Sequence, residues 1–200
     1  MTAPAALTIR PYRETDHDAI YDICVRTGDR GDDISEQLHD PRLLPDLFVG
    51  PYLALEPELA FVLAAVHRPV GYILGTADTA RFVAAYRERW LPRVARPSQA
   101  PSDEWLVHLL NRPEWMSHPE LADEYPAHLH IDLLPEARGN GYGRALIETF
   151  RAALRTAGVP GMHLTTGVSN SSAQRFYRRV GFVPLPQEPP KGAIFMGQPV

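Results

Sequence analysis

The chain has 200 residues, of which 44% are hydrophobic and 22% charged, and its formal net charge is -4. This composition is typical of a globular domain and excludes a disordered tail, a coiled coil and a collagen-like fibre. The acidic balance argues against nucleic acid as a partner, since such proteins usually carry a basic excess. Cys24 is the only cysteine, which excludes an intrachain disulfide and a cysteine-based metal cage, and its apolar neighbours predict a buried side chain.

The sequence also predicts where the protein resides. Its longest apolar run, Leu59–Val66, is too short to span a bilayer. The start, MTAPAALTIR, lacks a basic segment followed by an apolar one, so we expect no signal peptide. We therefore predict a cytoplasmic protein with no membrane partner.

The first half of the chain predicts strands and helices in alternation, judged from apolar spacing and from capping residues. In chain order these are a strand at 7–10, a helix at 16–27, a short helix at 35–39, strands at 59–66 and 70–76, and a helix at 79–94. Arg68 and Pro69 predict the turn of a hairpin between the two strands. The stretch Gly28–Asp33 predicts an acidic loop.

Proline is about twice as frequent as usual, with 20 residues, six of them in Pro92–Pro126. The same stretch contains Trp105 and Trp115, and a short helix is predicted at Asp103–Leu110. Long structured connections often shape binding sites. We predict one domain, residues 1–200, with an inserted proline-rich segment at about 78–126.

The last 75 residues predict a strand, a glycine-rich loop and a helix, followed by a second strand and helix. Their bounds are 127–134 for the strand, 135–143 for the loop, 144–157 for the helix, 162–166 for the next strand, 170–180 for the next helix, and 182–183 and 193–196 for two closing strands. Glycines end both helices, as expected just past a helix C-terminus.

The loop between strand and helix has the chemistry of a phosphate site. Gly139, Gly141 and Gly143 permit tight turns and close approach of a ligand to backbone N–H groups. The following helix adds its positive N-terminus, and Arg138 and Arg144 add two cations. The loop is neither a P-loop nor a dinucleotide fingerprint. A glycine-rich connector that binds nothing is the alternative interpretation.

Two motifs make the comparison with a known family specific. Arg138–Gly143 matches R/Q-x-x-G-x-G/A, the pyrophosphate loop of the GCN5-related N-acetyltransferases (GNAT), and Asn170–Phe182 matches that family's N-x-x-A-x-x-F-Y-x-x-x-G-F. The stretches PYLALEPELAFVLA and GYILGTADTARFVAAYRERW are similar to the acetyltransferase-like domain attached to O-GlcNAcases and to its free-standing bacterial relatives. The resemblance implies an α/β fold with a central, twisted, V-splayed mixed β-sheet flanked by helices.

The resemblance also implies acetyl-CoA as co-substrate, lying between the splayed strands at 127–134 and 162–166. Its pantetheine arm is expected to pair with the strand backbone, and a backbone N–H, of which we choose Leu133, to bind the thioester oxygen. The expected cofactor-binding residues are Leu133, Leu134, Arg138, Gly139, Asn140, Gly141, Tyr142, Gly143, Arg144, Asn170 and Tyr177.

Two residues are predicted to be catalytic. An acceptor amine has a pKa of about 10.4 and must lose a proton before it attacks, and Asp132 is the carboxylate on the strand beside the expected thioester. Tyr177 matches the family's donor to the departing thiolate. The alternatives are a carboxylate paired with a cation and a tyrosine packed on the core. Asn170 can also serve only as a helix cap.

The acceptor is expected to be a small-molecule or peptide amine. Asp29, Asp32 and Asp33 fall where this family builds its acceptor site, and three carboxylates attract a cationic amine. A solvated polar loop is the other interpretation. His130 is a further candidate in the wall of this site, where it can tune the pKa of Asp132.

Two other function classes remain open. His128, His130 and Asp132 share one face of a strand and can be ligands of a metal-dependent hydrolase, with His163 as a third histidine. That alternative leaves the glycine loop unexplained, so we expect no metal. The fold can also bind acetyl-CoA or another ligand without turnover. We expect a monomer or homodimer.

Overall fold

A seven-stranded mixed sheet runs through the molecule in the order β1-β2-β3-β4-β5-β7-β6. The computed structural model describes residues 7–66, 68–189 and 191–200. The strands are β1 (Leu7–Pro11), β2 (Phe61–Ala65), β3 (Arg68–Thr76), β4 (Ala127–Leu133), β5 (Gly161–Gly167), β6 (Val183–Pro184) and β7 (Ala193–Pro199). All neighbours are antiparallel except β4 and β5. The predicted mixed α/β sheet is confirmed.

Eight α-helices accompany the sheet, several of them packed directly against it. They are α1 (His17–Arg26), α2 (Leu43–Phe48), α3 (Gly50–Leu55), α4 (Thr79–Ala85), α5 (Leu91–Val94), α6 (Glu104–Leu110), α7 (Tyr142–Thr156) and α8 (Ser171–Arg179) among the described residues. A π-helical segment, Tyr86–Trp90, joins α4 to α5. No helix of the described chain is both long enough and apolar enough to cross a membrane. The predicted lack of a signal peptide concerns a start of the chain that falls mostly outside the described residues.

The two faces of the sheet carry different helices. A Cβ built on Gly75 of β3 would meet Phe150 of α7, so that face belongs to α7. Tyr72 points the other way, to the face where Cys24 of α1 is buried, because successive residues of a strand alternate. One stripe of α7 is fully buried in the core and includes Leu146, Ile147, Phe150 and Leu154. The burial of each such side chain contributes about 2 kcal/mol to the free energy of unfolding.

The inserted segment packs on α2 and on the residues just before it, through polar as well as apolar groups. The Asp103 carboxylate accepts from the backbone N–H groups of His39 and Asp40 at 2.9 and 3.0 Å. The Trp90 indole N–H donates to the Asp46 carbonyl at 2.9 Å. The helix predicted at 79–94 is present as α4, the π-helical segment and α5, and α6 confirms the helix predicted at 103–110.

Two predictions about the first half were wrong or incomplete. Arg68 and Pro69 are not a turn: they begin β3, where Pro69 pairs with Ala64 beside an irregularity in the register. Proline is tolerated there because the start of a strand and a bulge need no N–H from it. The sequence pattern also missed α2 and α3, which are each six residues long.

Candidate active site

The strands β4 and β5 diverge almost as soon as they meet. They pair only at Ala127 with Met162 and at His128 with His163. Beyond these residues a cavity of about 980 Å³ opens between the strands, bounded by α1, the glycine loop and α8. We call it the splay cavity. It lies between the two strands where the family resemblance implies a V-shaped gap.

The glycine loop lies at the open end of the splay cavity. Gly139 and Gly141 have φ values of +80° and +82°, which glycine adopts at little cost, and nothing lies within 4 Å of a Cβ built on either. Gly141 is also the N-cap of α7. The first N–H groups of a helix have no partner within it, so this end of α7 is suited to an anion.

Gly143 serves a different purpose. A Cβ at this position would come within 2.9 Å of the Phe176 ring on α8. Glycine therefore lets the first turn of α7 lie directly against α8. The side chains of Asn140 and Tyr142, by contrast, do not line the cavity. Asn140 instead donates to the Arg138 carbonyl.

Several arginines surround the loop. Arg138 donates from Nε to the Leu133 carbonyl at 2.9 Å and from Nη2 to the Gly31 carbonyl at 2.7 Å, so it joins β4 to the loop after α1. Arg144 lines the cavity and donates to the Arg179 carbonyl at the end of α8. Arg30 lines the cavity as well, and sequence reasoning missed it. These cations give the cavity the charge that a pyrophosphate needs.

The backbone of β4 distinguishes Leu133 from Leu134. In an antiparallel ladder, alternate residues direct their N–H and C=O groups to the same side. Leu134 donates to the Val70 carbonyl at 2.9 Å, and its own carbonyl accepts from Ala137, so both groups are used. Leu133 therefore faces the splay cavity, which it lines. Leu134, also predicted to bind the cofactor, does not line the cavity, and its backbone groups pair away from the gap.

Asp132 lies at the centre of a small polar cluster on the α1 face of β4. The Tyr72 hydroxyl donates to Oδ2 of Asp132 at 2.8 Å, and His130 Nε2 lies 3.6 Å from the same oxygen. Burial raises the pKa of the Asp132 carboxyl, against the lowering effects of His130, Tyr72, Thr27 and Arg138. A carboxylate with a raised pKa binds a proton more readily, which suits a general base.

Tyr177 reaches the splay cavity from α8. Its ring lies 5.2 Å from that of Phe176 and 5.6 Å from that of Phe182, so the packing interpretation holds for the ring. Burial and the nearby Asp132 raise the pKa of the Tyr177 hydroxyl, which stays protonated at neutral pH. Asn170 caps α8, with Oδ1 accepting from the Ala173 N–H at 3.1 Å, and it lines the same cavity.

The acidic loop does not supply the cavity with carboxylates. Asp29 accepts from Gln37 and Arg30, and Asp33 accepts from the Ser35 N–H at 2.8 Å. The structure brings neither these two nor Asp32 to the wall of the splay cavity. The polar-loop interpretation therefore describes Asp29 and Asp33, whose carboxylates hold the turn together.

Hydrogen bonds within the protein engage the first histidine of the run. Thr79 donates its hydroxyl to the Pro126 carbonyl, so its oxygen accepts from His128 Nδ1 at 2.8 Å, and Nε2 of His128 accepts from the Tyr52 hydroxyl at 2.7 Å. Both ring nitrogens of His128 are thus engaged. Within the residues that the structure describes, no three His, Cys, Asp or Glu side chains are grouped to hold a metal ion.

Two further residues that contribute to the site were not predicted: Tyr72, which contacts Asp132, and Phe48, which lines the splay cavity. Tyr72 comes from β3 and reaches Asp132 only because the register places the two residues opposite each other. Phe48 lines the cavity from α2, and Trp105, an aromatic residue of the insert that was a candidate for the acceptor pocket, lines it from α6. The sequence shows that Val70–Thr76 is a strand and that the insert is rich in aromatic residues. It does not show which residues these side chains contact, because that depends on how the strands pair.

Comparisons with known proteins agree on one family. A model of the acetyltransferase (GNAT) domain matches residues 116–184. The crystal structure of SsHAT is 49% identical, covers 97% of this chain and 98% of its own, and superimposes with a TM-score of 0.91. The structure of yncA from Salmonella typhimurium with its cofactor acetyl-CoA is 17% identical, covers 97% of this chain and 94% of its own, and has a TM-score of 0.56, so it shares the fold.

A curated relative is much longer than this chain. Protein O-GlcNAcase of Rattus norvegicus is 23% identical over 201 residues, which covers 96% of this chain and 22% of the rat protein. The chain therefore spans about a fifth of the length of the curated relatives it matches, and the likeness concerns that part alone.

Proposed function

The chain belongs to the GNAT family of acetyltransferases, and we propose that it transfers an acetyl group from acetyl-CoA to a primary amine, which attacks directly in a ternary complex. The matches above confirm the family that the two sequence motifs predict. The acceptor is proposed to be a small-molecule or peptide amine. The monomeric or dimeric state and the cytoplasmic location stay predictions.

One observation carries the proposal. The splay cavity joins, in a single space, an anion site at the N-terminus of α7 and the carboxylate of Asp132. The open backbone at Gly139 and Gly141 fits a pyrophosphate, since no side chain stands over it. Leu133 is proposed to bind the pantetheine arm through its backbone. Acetyl-CoA, when bound, supplies an acetyl group on a thioester whose sulfur is a good leaving group.

Asp132 is proposed to take the proton from the acceptor amine, directly or through water. Its raised pKa supports this role, because a stronger base accepts a proton from an ammonium more readily. Tyr72 and His130 hold the carboxylate in place from the α1 face. The amine nitrogen then forms a bond to the acetyl carbon.

Tyr177 is proposed to act on the leaving group. As the carbon–sulfur bond breaks, its hydroxyl donates a proton or a hydrogen bond to the departing thiolate. The raised pKa supports the role, since the group must carry its proton when the thiolate forms. The proton lost by the amine and the proton gained by sulfur thus pass through two different side chains.

The experiment combines calorimetry with turnover. Acetyl-CoA is titrated into the wild type, Asp132→Asn and Tyr177→Phe, and the release of CoA is then followed over a panel of primary amines. We expect all three proteins to bind acetyl-CoA. Turnover should fall at least about 100-fold in Asp132→Asn and about tenfold in Tyr177→Phe. Failure of the wild type to bind acetyl-CoA would contradict the proposal. Binding with full turnover in both variants would contradict the assigned roles.

A further inference from the structure

A second cavity, of about 240 Å³, lies at the closed end of the gap between β4 and β5. We call it the inner chamber. Its wall includes Phe48, Tyr52, Trp115, His118, His163 and Ala193. It shares Phe48, His130 and residues 165–167 with the splay cavity, so the two spaces adjoin. Of its lining residues, the mechanism proposed above uses only His130.

We propose that the inner chamber binds the rest of the acceptor, and that this part is an uncharged aryl group bearing an ether or carbonyl oxygen. The proposal rests on the proposed function, because it assumes that the amine reaches Asp132. His128, His130 and Asp132 share one face of β4, since alternate residues of a strand do so. An acceptor with its nitrogen at Asp132 therefore extends past His130 toward the chamber, away from the glycine loop.

The size and walls of the inner chamber suit an aromatic ring. Apolar cavities of about 150 Å³ hold benzene, so this volume accommodates a ring with a short substituent. The Phe48 ring stacks on His130 at 5.6 Å and meets Trp115 edge-on at 5.9 Å. The rings of the chamber wall can stack on an aromatic ring of the acceptor or meet it edge-on.

The charge of the chamber argues against a polycation and against an acidic acceptor. No Asp, Glu, Lys or Arg is among its described lining residues. Burial lowers the pKa of His118, and it lowers that of His163 to about 4, so both are neutral at physiological pH. An uncharged group enters such a chamber without the desolvation cost of a buried charge.

Trp115, in the wall of the inner chamber, carries a buried donor, its indole Nε1, without a hydrogen-bond partner among the described residues. A buried donor left without an acceptor is costly, and tryptophan N–H groups usually find one. An oxygen on the acceptor ring supplies it, which is why the proposal includes an ether or carbonyl group.

The test measures binding on the free protein, so it does not depend on turnover. Para-methoxyphenethylamine, butylamine and spermidine are titrated by calorimetry into the wild type, Ala193→Phe and Val183→Phe. Ala193→Phe fills the chamber from the start of β7, while Val183 is exposed on the neighbouring strand and serves as the matched control. Circular dichroism and acetyl-CoA binding report whether each variant is folded.

We expect the methoxy amine to bind the wild type and Val183→Phe at least about tenfold more tightly than butylamine or spermidine, and Ala193→Phe to lose this preference. Equal binding of the three amines, or preference for spermidine, would overturn the proposal. So would an Ala193→Phe variant that excludes longer acyl-CoA thioesters but still binds the aryl amine.

A milder variant keeps the test decisive if Ala193→Phe does not fold. Trp115→Phe retains the ring and removes the N–H, so we expect para-methoxyphenethylamine to lose its advantage over phenethylamine. If para-methoxyphenethylamine still binds more tightly than phenethylamine in Trp115→Phe, the proposed hydrogen bond to the indole N–H is wrong. Aryl-amine binding without any CoA release would support the inner chamber and contradict the proposed function, whereas acetylation of butylamine and spermidine alone would do the reverse.

Discussion

The hydroxyl of Tyr72 donates a hydrogen bond of 2.8 Å to Asp132, from the neighbouring strand and on the face of the sheet that carries α1. This bond stabilises the ionised carboxylate and therefore opposes the burial that raises its pKa. Tyr72 therefore both positions the Asp132 carboxylate and limits the rise of its pKa.

Tyr72→Phe removes that hydrogen bond and keeps the ring. The pKa of Asp132 then rises further, so the acid-side midpoint of the kcat/KM profile against pH is expected to move to higher pH. Tyr86→Phe is the control, because the Tyr86 hydroxyl donates to the Leu110 carbonyl, outside both cavities. A Tyr72→Phe profile that stays in place, or moves to lower pH, would show that Asp132 does not control the acid side.

Asp132→Asn is expected to stabilise the fold at neutral pH. A carboxyl whose pKa is raised on folding contributes stability below its unfolded pKa of about 3.9, and that contribution is lost as the pH rises through the folded value. Asparagine does not ionise and avoids the loss. Urea unfolding at about pH 4 and about pH 7.5 measures the difference in free energy between variant and wild type. From about pH 4 to about pH 7.5, the stability of the variant relative to the wild type should increase. A difference that does not change with pH would argue against a raised pKa of Asp132.

Gly139→Ala is expected to weaken acetyl-CoA binding more than it weakens the fold. Gly158→Ala is the matched control: its φ is +73° against +80° at Gly139, and a Cβ at either meets nothing within 4 Å. Each alanine costs about 1 kcal/mol of backbone strain. Calorimetry should show reduced acetyl-CoA affinity only for Gly139→Ala, which borders the splay cavity. Equal loss of affinity in both would mean that the loop is only a connector.

Tyr177→Phe separates packing from chemistry. The ring contacts with Phe176 and Phe182 are retained, so the free energy of unfolding and the dissociation constant of acetyl-CoA should stay close to those of the wild type. The lost hydroxyl should lower kcat by about tenfold or more. Steady-state kinetics beside thermal unfolding checks both. An unchanged kcat would show that Tyr177 serves only to pack the core and that its hydroxyl has no catalytic role.

The second half of the fold follows from local rules. Gly141 and Asn170 cap α7 and α8, so glycine positions and a capping side chain predicted these helices to within two residues. The register between β3 and β4 did not follow from any local pattern. The Tyr72–Asp132 contact is therefore visible only once the strands are paired.

The acceptor side shows the same limit. The carboxylates of Asp29 and Asp33 look available in the sequence, yet neighbouring donors bind both of them. Phe48 was missed because it ends a helix too short for periodicity to indicate. The wall of the inner chamber combines α2, α3, the insert and three strands, which no local window of sequence contains.

The most direct test of acetyl transfer is the rate of CoA release from acetyl-CoA with and without a primary amine. We expect release that requires both the wild-type protein and the amine, and that falls at least about 100-fold in Asp132→Asn. A wild-type protein that binds acetyl-CoA but releases no CoA above the amine-free rate, with any amine of the panel, would contradict the account.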